Sequence, residues 1–174
     1  HNPKNYNGFK MMIKNEPFFG KDIQNLGIKA KSGSNINMNG SIESLDLDEK
    51  YLEKILMPLA NAKNLKDKKI IWDCGNGATG DIINKMVKLI PCENTVLYSE
   101  IDGNFPNHHP DPSNESNLIK LKQEMKRQNA DFGFAFDGDG DRVGIVNSNL
   151  ELIAGDILTT FLAQSISGLL YTSP

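Results

Sequence analysis

Residues 69–80 read KIIWDCGNGATG, an apolar run followed by a turn rich in glycine. The run from Lys69 to Cys74 is short and mostly apolar, which predicts a buried strand. Residues 75–80 predict a tight glycine loop. An order of strand, loop and helix indicates an α/β unit, and the helix is expected because apolar side chains recur at helical spacing. These side chains are Ile82, Ile83, Met86, Val87 and Ile90.

Strands and helices continue to alternate on both sides of this unit. A helix is expected after Asp46, which can cap it with Glu49 reaching back from three residues on. The alternation predicts an α/β fold with a mostly parallel sheet flanked by helices. Further strands are expected at residues 95–98, 132–136 and 143–146, and further helices at residues 118–129 and from residue 157 onward.

The beginning of the chain is organised differently. Residues 8–14 predict a short strand and residues 18–26 a helix, which together are too few for a hydrophobic core of their own. Residues 31–44 are rich in serine, asparagine and glycine and predict a turn-forming connection. We therefore expect a partial α/β domain at residues 1–30, a linker at 31–45 and a second domain at 46–174.

Composition excludes several classes of function. The 174 residues include 19 lysines and arginines against 22 aspartates and glutamates, a net charge of -3, so no basic excess is available to bind a nucleic acid. No apolar run reaches the roughly 18 residues of a membrane span, and the first residues lack the pattern of a signal peptide. Cys74 and Cys92 are too far apart for a zinc knuckle and are expected to be reduced thiols. We expect a cytoplasmic protein that binds neither nucleic acid nor membrane.

Residues 137–142 read DGDGDR and directly follow a predicted strand. In an extended loop alternate side chains point the same way, so Asp137, Asp139 and Asp141 can converge on one point. Three like charges at close quarters require a cation, and carboxylate oxygens suit Mg²⁺, which often completes its shell with water or phosphate. The planar guanidinium of Arg142 matches the oxygens of a phosphate. The loop therefore predicts a magnesium site used for phosphoryl chemistry.

Other interpretations of this aspartate loop stay open. It could be a solvated acidic turn, and Arg142 could form an ion pair that only steadies the aspartates. A non-catalytic Mg²⁺-binding module is a further alternative. A calcium loop of the EF-hand type is excluded, because it requires glycine where Arg142 stands and glutamate where Ser148 stands.

The glycine loop at residues 75–80 also has two interpretations. It follows a strand and opens a helix, and Glu100 lies 20 residues beyond Gly80, which fits the fingerprint of a dinucleotide-binding domain. However, a tight strand-to-helix turn needs glycine with or without a bound pyrophosphate, and Asp73 would place a negative charge beside one. A structural turn is favoured, and a nicotinamide-dependent oxidoreductase is kept as the alternative.

Four stretches of the sequence occur in a characteristic order. They are HNP at 1–3 with YNGFK at 6–10, DCGNG at 73–77, FPNHHPDP at 105–112, and the aspartate loop at 137–142. Together they resemble the phosphomannomutase and phosphoglucomutase branch of the α-D-phosphohexomutases. The resemblance implies an enzyme of four domains around a central cleft, of which this chain would cover the end of the first and most or all of the second.

The resemblance also implies a reaction. In this family a phosphoserine donates its phosphate to a sugar monophosphate, and the resulting bisphosphate returns its other phosphate, which interconverts hexose 1-phosphates and 6-phosphates. The substrate would be a phosphosugar based on mannose or glucose. The serine would stand immediately before His1, outside these 174 residues, so the chain alone is expected to be inactive.

Roles for individual residues are implied only where the motifs match. Lys10 matches the general acid/base of the family, and His1 and Asn2 would flank and position the phosphoserine. His108 and His109 are assigned a role in loop structure, because no carboxylate or cysteine stands at a typical metal-ligand spacing from them. The remaining implied roles are Mg²⁺ ligands at Asp137, Asp139 and Asp141 and a phosphate contact at Arg142.

Overall fold

The computed structural model describes residues 5, 6, 8–33, 40–61 and 65–171. The chain divides into two compact units, Asn2–Leu47 and Asp48–Pro174. His1 and Asn2, for which the resemblance implies roles beside the phosphoserine, lie outside the described residues.

The smaller unit contains a β-hairpin and a helix. Strands β1 (Met11–Ile13) and β2 (Glu16–Phe18) pair antiparallel. The two residues between them, Lys14 and Asn15, have φ angles of 51° and 66°, as a two-residue hairpin turn requires. Helix α1 (Lys21–Lys31) then follows.

The hairpin corrects the sequence prediction for this region, which is one strand over residues 8–14 and a helix starting near residue 18. The turn at Lys14 and Asn15 directs the chain back along β1, so Glu16–Phe18 becomes a strand and the helix begins only at Lys21. No residue of α1 is buried, and residues 40–47 form neither helix nor strand.

The larger unit is built on a four-stranded sheet in the order β4-β3-β5-β6. Strand β3 (Lys69–Asp73) pairs parallel with β4 (Glu93–Leu97) on one side and with β5 (Phe132–Phe136) on the other. Strand β6 (Val143–Val146) lies antiparallel to β5 at the edge. The predicted α/β fold with a mostly parallel sheet is therefore confirmed.

The described helices of the larger unit are α2 (Asp48–Leu56), α3 (Gly80–Met86), α4 (Ile119–Gln128) and α5 (Gly155–Tyr171), with 3-10 turns at Met57–Asn61 and Glu115–Leu118. Within the described part of the chain, no helix is long and apolar enough to span a membrane.

The end of α3 differs from the prediction. The helix stops at Met86, although the predicted apolar stripe continues to Ile90, because the chain continues as a tighter turn in which the Leu89 N–H donates to the Met86 carbonyl.

Two hydrophobic clusters lie on opposite faces of the sheet because successive side chains of β3 alternate in direction. Ile70 and Trp72 pack with Ile83 of α3 on one face. Ile71 packs with Leu121 of α4 on the other and is fully buried. The two cores hold β3 at the centre of the unit, with its carboxyl end beside that of β5.

Candidate metal and phosphate site

The glycine loop and the aspartate loop lie against each other at the carboxyl ends of β3 and β5. They are neighbours because these two strands are parallel, with Asp73 in register with Ala135. The backbone N–H of Ala78 donates to the carbonyl oxygen of Gly138 at 2.8 Å. A Cβ atom at Gly77 would lie 2.8 Å from that same oxygen, so only glycine permits this approach.

The aspartate loop brings three carboxylates together. Asp137, Asp139 and Asp141 each offer a carboxylate oxygen, and these oxygens lie within 4.8 Å of one another. Asp137 is fully buried, and the other two are solvent accessible. The turn between them depends on Gly140, whose φ is 76° and whose N–H donates to the Asp137 carbonyl oxygen at 3.2 Å.

The charges of these carboxylates fit a divalent cation. Repulsion from Asp139 in the first place, followed by burial and by the charge of Asp137, raises the pKa of Asp141 above its ordinary value. A cation among the three oxygens would remove this repulsion. A donor set made of carboxylate oxygens alone is hard and suits Mg²⁺ better than Zn²⁺. The residues present therefore fit a bound magnesium ion.

Arg142 holds Asp137, the buried aspartate of the three, through two hydrogen bonds. Its backbone N–H donates to Asp137 Oδ1 at 3.0 Å and its Nε donates to Asp137 Oδ2 at 2.8 Å. Burial alone would raise the pKa of Asp137, but the two hydrogen bonds and the positive charge of Arg142 lower it below its ordinary value. The Arg142 side chain is 55% exposed, so it can pair with Asp137 and still be reached by an anionic ligand.

A buried pair of titratable side chains, Asp73 and His108, lies beside the glycine loop, and the sequence pattern did not reveal it. Asp73 at the end of β3 is fully buried, and the Nε2 atom of His108 lies 3.1 Å and 3.0 Å from its two carboxylate oxygens. The hydrogen bond to Asp73 raises the pKa of His108, although burial acts in the opposite direction. The signal in the sequence was an aspartate on a buried strand, because a buried carboxylate requires a partner.

Comparison with known proteins identifies the family. A family model described as phosphoglucomutase/phosphomannomutase, alpha/beta/alpha domain II, matches residues 49–150. The chain belongs to the phosphoglucomutase/phosphomannomutase family. The matched range contains the whole four-stranded sheet and both loops of the candidate site.

Individual members of the phosphoglucomutase/phosphomannomutase family show the same relationship. A phosphomannomutase/phosphoglucomutase of Pseudomonas aeruginosa is 40% identical over 166 residues, which cover 95% of this chain and 35% of that protein. A phosphoglucomutase of Neisseria gonorrhoeae is 39% identical over 168 residues, covering 95% of this chain and 36% of that protein. The crystal structure of a family protein from Burkholderia thailandensis superimposes with a TM-score of 0.81 at 37% identity, over 95% of this chain and 36% of the other. The chain thus spans about a third of the length of these relatives.

Within this phosphoglucomutase/phosphomannomutase fold, packing accounts for the glycines that resemble a dinucleotide fingerprint. Gly75 has a φ of 53°, and Gly77 faces the backbone of Gly138. A Cβ atom at Gly80 would lie 1.9 Å from the carbonyl oxygen of Ser99. Neighbouring backbone fills the space beside Gly77 and Gly80, and nothing in the geometry of the loop favours the alternative of a nicotinamide-dependent oxidoreductase.

Lys10 lies in the smaller unit of this family member. It is exposed and immediately precedes β1. Its role as general acid/base, like the roles of His1 and Asn2, stays a prediction.

Proposed function

We propose that this chain is the metal-binding part of a phosphohexomutase that interconverts the 1-phosphates and 6-phosphates of mannose or glucose. The observation that carries the proposal is the convergence of Asp137, Asp139 and Asp141 within 4.8 Å, next to Arg142, at the carboxyl end of a mostly parallel sheet. The names of the relatives, phosphomannomutase and phosphoglucomutase, support the choice of substrate. We also propose that the enzyme works in the cytoplasm, consistent with its two free cysteines.

The aspartate loop would hold Mg²⁺, with Asp137, Asp139 and Asp141 as ligands. Bound there, the ion supplies positive charge that stabilises a transferring phosphoryl group. Arg142 keeps Asp137 ionised and oriented through two hydrogen bonds. The same guanidinium can donate hydrogen bonds to a phosphate on its exposed side, because its planar arrangement of N–H groups matches two phosphate oxygens.

The residues of the smaller unit would transfer the proton of the reaction and orient the phosphoserine. Lys10 would exchange a proton with the sugar hydroxyl that gains or loses phosphate. His1 and Asn2 would orient the phosphoserine, expected immediately before them. The 174 residues do not include that serine, and the positioning of reacting groups supplies much of the rate in phosphoryl transfer. The 174 residues alone should therefore not catalyse the reaction.

Calorimetric titration of the 174-residue chain with Mg²⁺ and Mn²⁺ tests the metal site. Asp139→Asn should abolish binding, whereas Asp81→Asn, which removes the same charge from an exposed position on α3, should bind like the wild type. Equal binding by both variants would contradict the proposed ligand set.

A mutase assay with mannose 1-phosphate and glucose 1-phosphate tests the reaction, on a full-length protein that carries these residues and the phosphoserine. Asp139→Asn should lower kcat by about 100-fold or more, since metal stabilisation of transferred charge contributes several kcal/mol. Metal binding by a full-length protein that lacks all mutase activity would instead support a non-catalytic Mg²⁺ module.

A further inference from the structure

Both ring nitrogens of His108 face hydrogen-bond acceptors. Nδ1 lies 3.0 Å from the carbonyl oxygen of His109, and Nε2 lies 3.1 Å and 3.0 Å from the two carboxylate oxygens of Asp73. A carbonyl oxygen only accepts, so Nδ1 must carry a hydrogen. The two oxygens of the Asp73 carboxylate stand in the same way at Nε2. Both contacts are hydrogen bonds at once when His108 is an imidazolium cation.

Among the described neighbours of Asp73, His108 is the side chain that can balance the negative charge of this carboxylate. Asp73 is fully buried and the His108 side chain is 12% exposed. Tyr98 contacts the imidazole edge-on with ring centroids 5.5 Å apart, and Cys74 follows Asp73 directly. Burial, reinforced by the charge of Asp73, raises the pKa of both Tyr98 and Cys74, so both stay neutral. A buried carboxylate without a cationic partner would be strongly destabilising.

The pair is connected to the glycine loop by direct contacts. Asp73 Oδ1 also accepts the backbone N–H of Gly75 at 2.9 Å, which holds the loop at its left-handed residue. A Cβ atom at Gly75 would lie 3.4 Å from Cε1 of His108 and 3.3 Å from Pro110, so the histidine packs closely on this residue. Two residues further on, Gly77 and Ala78 contact Gly138 of the aspartate loop.

We propose that His108 is a positioning residue: paired with Asp73, its imidazolium fixes the glycine loop against which the aspartate loop packs, and thereby presets the three carboxylates for a cation. The last step rests on the proposed metal site, whereas the fixing of the two loops does not. Neighbouring His109 is exposed and offers only its backbone carbonyl to His108, so its side chain serves as the matched control.

The charge state of His108 is measured first, by ¹⁵N NMR of the imidazole in the wild-type 174-residue chain at pH 7. Two protonated ring nitrogens are expected, and Asp73→Asn should convert His108 to a neutral tautomer. A neutral His108 in the wild type would overturn the proposal, and this measurement does not depend on whether any variant folds.

Amide hydrogen exchange then tests the positioning role. The N–H groups of Ala78 and Arg142, which bind the aspartate loop, should exchange about 10-fold faster or more in His108→Gln and at the wild-type rate in His109→Gln. Exchange that rises equally throughout β3 and β5 would show a general loss of stability and would overturn the proposal, as would unchanged exchange at both amides.

Mn²⁺ titration of the same variants links the pair to the cation. His108→Gln should raise the Kd for Mn²⁺ by about 10-fold or more, the scale reached when a group that orients metal ligands is removed, and His109→Gln should leave it unchanged. If His108→Gln binds Mn²⁺ with an unchanged Kd while Asp139→Asn loses binding, the proposed effect of His108 on the cation site is overturned. The metal site itself is then supported. Absence of Mn²⁺ binding by the wild type would count against the proposed function instead, while the exchange data still decide whether His108 fixes the loops.

Discussion

The backbone N–H of Ala78 donates a 2.8 Å hydrogen bond to the carbonyl oxygen of Gly138. This bond joins the loop after β3 to the loop after β5, and it forms where the neighbouring Gly77 presents no side chain. The three aspartates of the candidate metal site therefore depend for their placement on a loop about 60 residues earlier in the chain.

Substitution of Gly77 should disturb both loops. In Gly77→Ala the new methyl group would lie 2.8 Å from the Gly138 oxygen and 3.0 Å from its Cα, so the loops must separate. We expect a loss of about 1–3 kcal/mol in the free energy of unfolding, measured with urea, together with weaker Mn²⁺ binding. Gly155→Ala is the control, since a Cβ atom there meets nothing within 4 Å, and it should change stability by less than about 0.5 kcal/mol. Equal stability of the two variants would contradict the packing argument.

The His108–Asp73 pair should make stability depend on pH. The pKa of His108 is raised in the folded state, so the pair contributes its full stability below the unfolded pKa of about 6.5. That contribution is lost as pH rises through the higher folded pKa. Urea unfolding between about pH 5 and pH 9 should show this decline in the wild type and in His109→Gln. In His108→Gln the decline should be absent, and its persistence there would assign it to another group.

Cys74 should be unreactive in the folded chain. Burial raises the pKa of its thiol from 9.0 to about 12, and the thiolate is the form that reacts. At pH 8 this shift lowers the thiolate fraction by about a thousandfold. In a Cys92→Ser variant, which isolates Cys74, labelling with a disulfide reagent should be slow until urea unfolds the protein. Rapid labelling under native conditions would show that the segment after β3 opens readily.

Magnesium should stabilise the folded chain through the aspartate loop. A ligand that binds only the folded state at 100 times its Kd adds about 2.7 kcal/mol to the free energy of unfolding. Thermal unfolding of the wild type should therefore shift upward with Mg²⁺ and return with EDTA. Asp139→Asn should be insensitive to both. An equal Mg²⁺ shift in Asp139→Asn would place the stabilising ion elsewhere.

The sequence by itself predicted most strands and helices of the larger unit and a cluster of carboxylates at its aspartate loop. Apolar periodicity is a local property, so the strands at 69–73, 132–136 and 143–146 could be predicted from it, and so could the mostly parallel sheet. The alternation of aspartate and glycine at 137–142 is equally local, although the carboxylates converge through a turn at Gly140 and not through an extended chain. The β-hairpin at residues 11–18 was missed, since Lys14 gives little sign that it adopts a positive φ.

Only the tertiary structure decided which residues pack against the aspartate loop and the glycine loop. Gly77 resembles part of a nucleotide-binding turn until β3 and β5 become neighbours, and only then does the backbone of Gly138 fill the space beside it. His108 resembles a loop residue until the chain folds back and brings it to Asp73, 35 residues away. A glycine pattern or a single histidine in a sequence is compatible with several partners. Burial beside a particular strand selects one of these partners, because a buried charge or a close backbone approach is stable only with the complementary group in place.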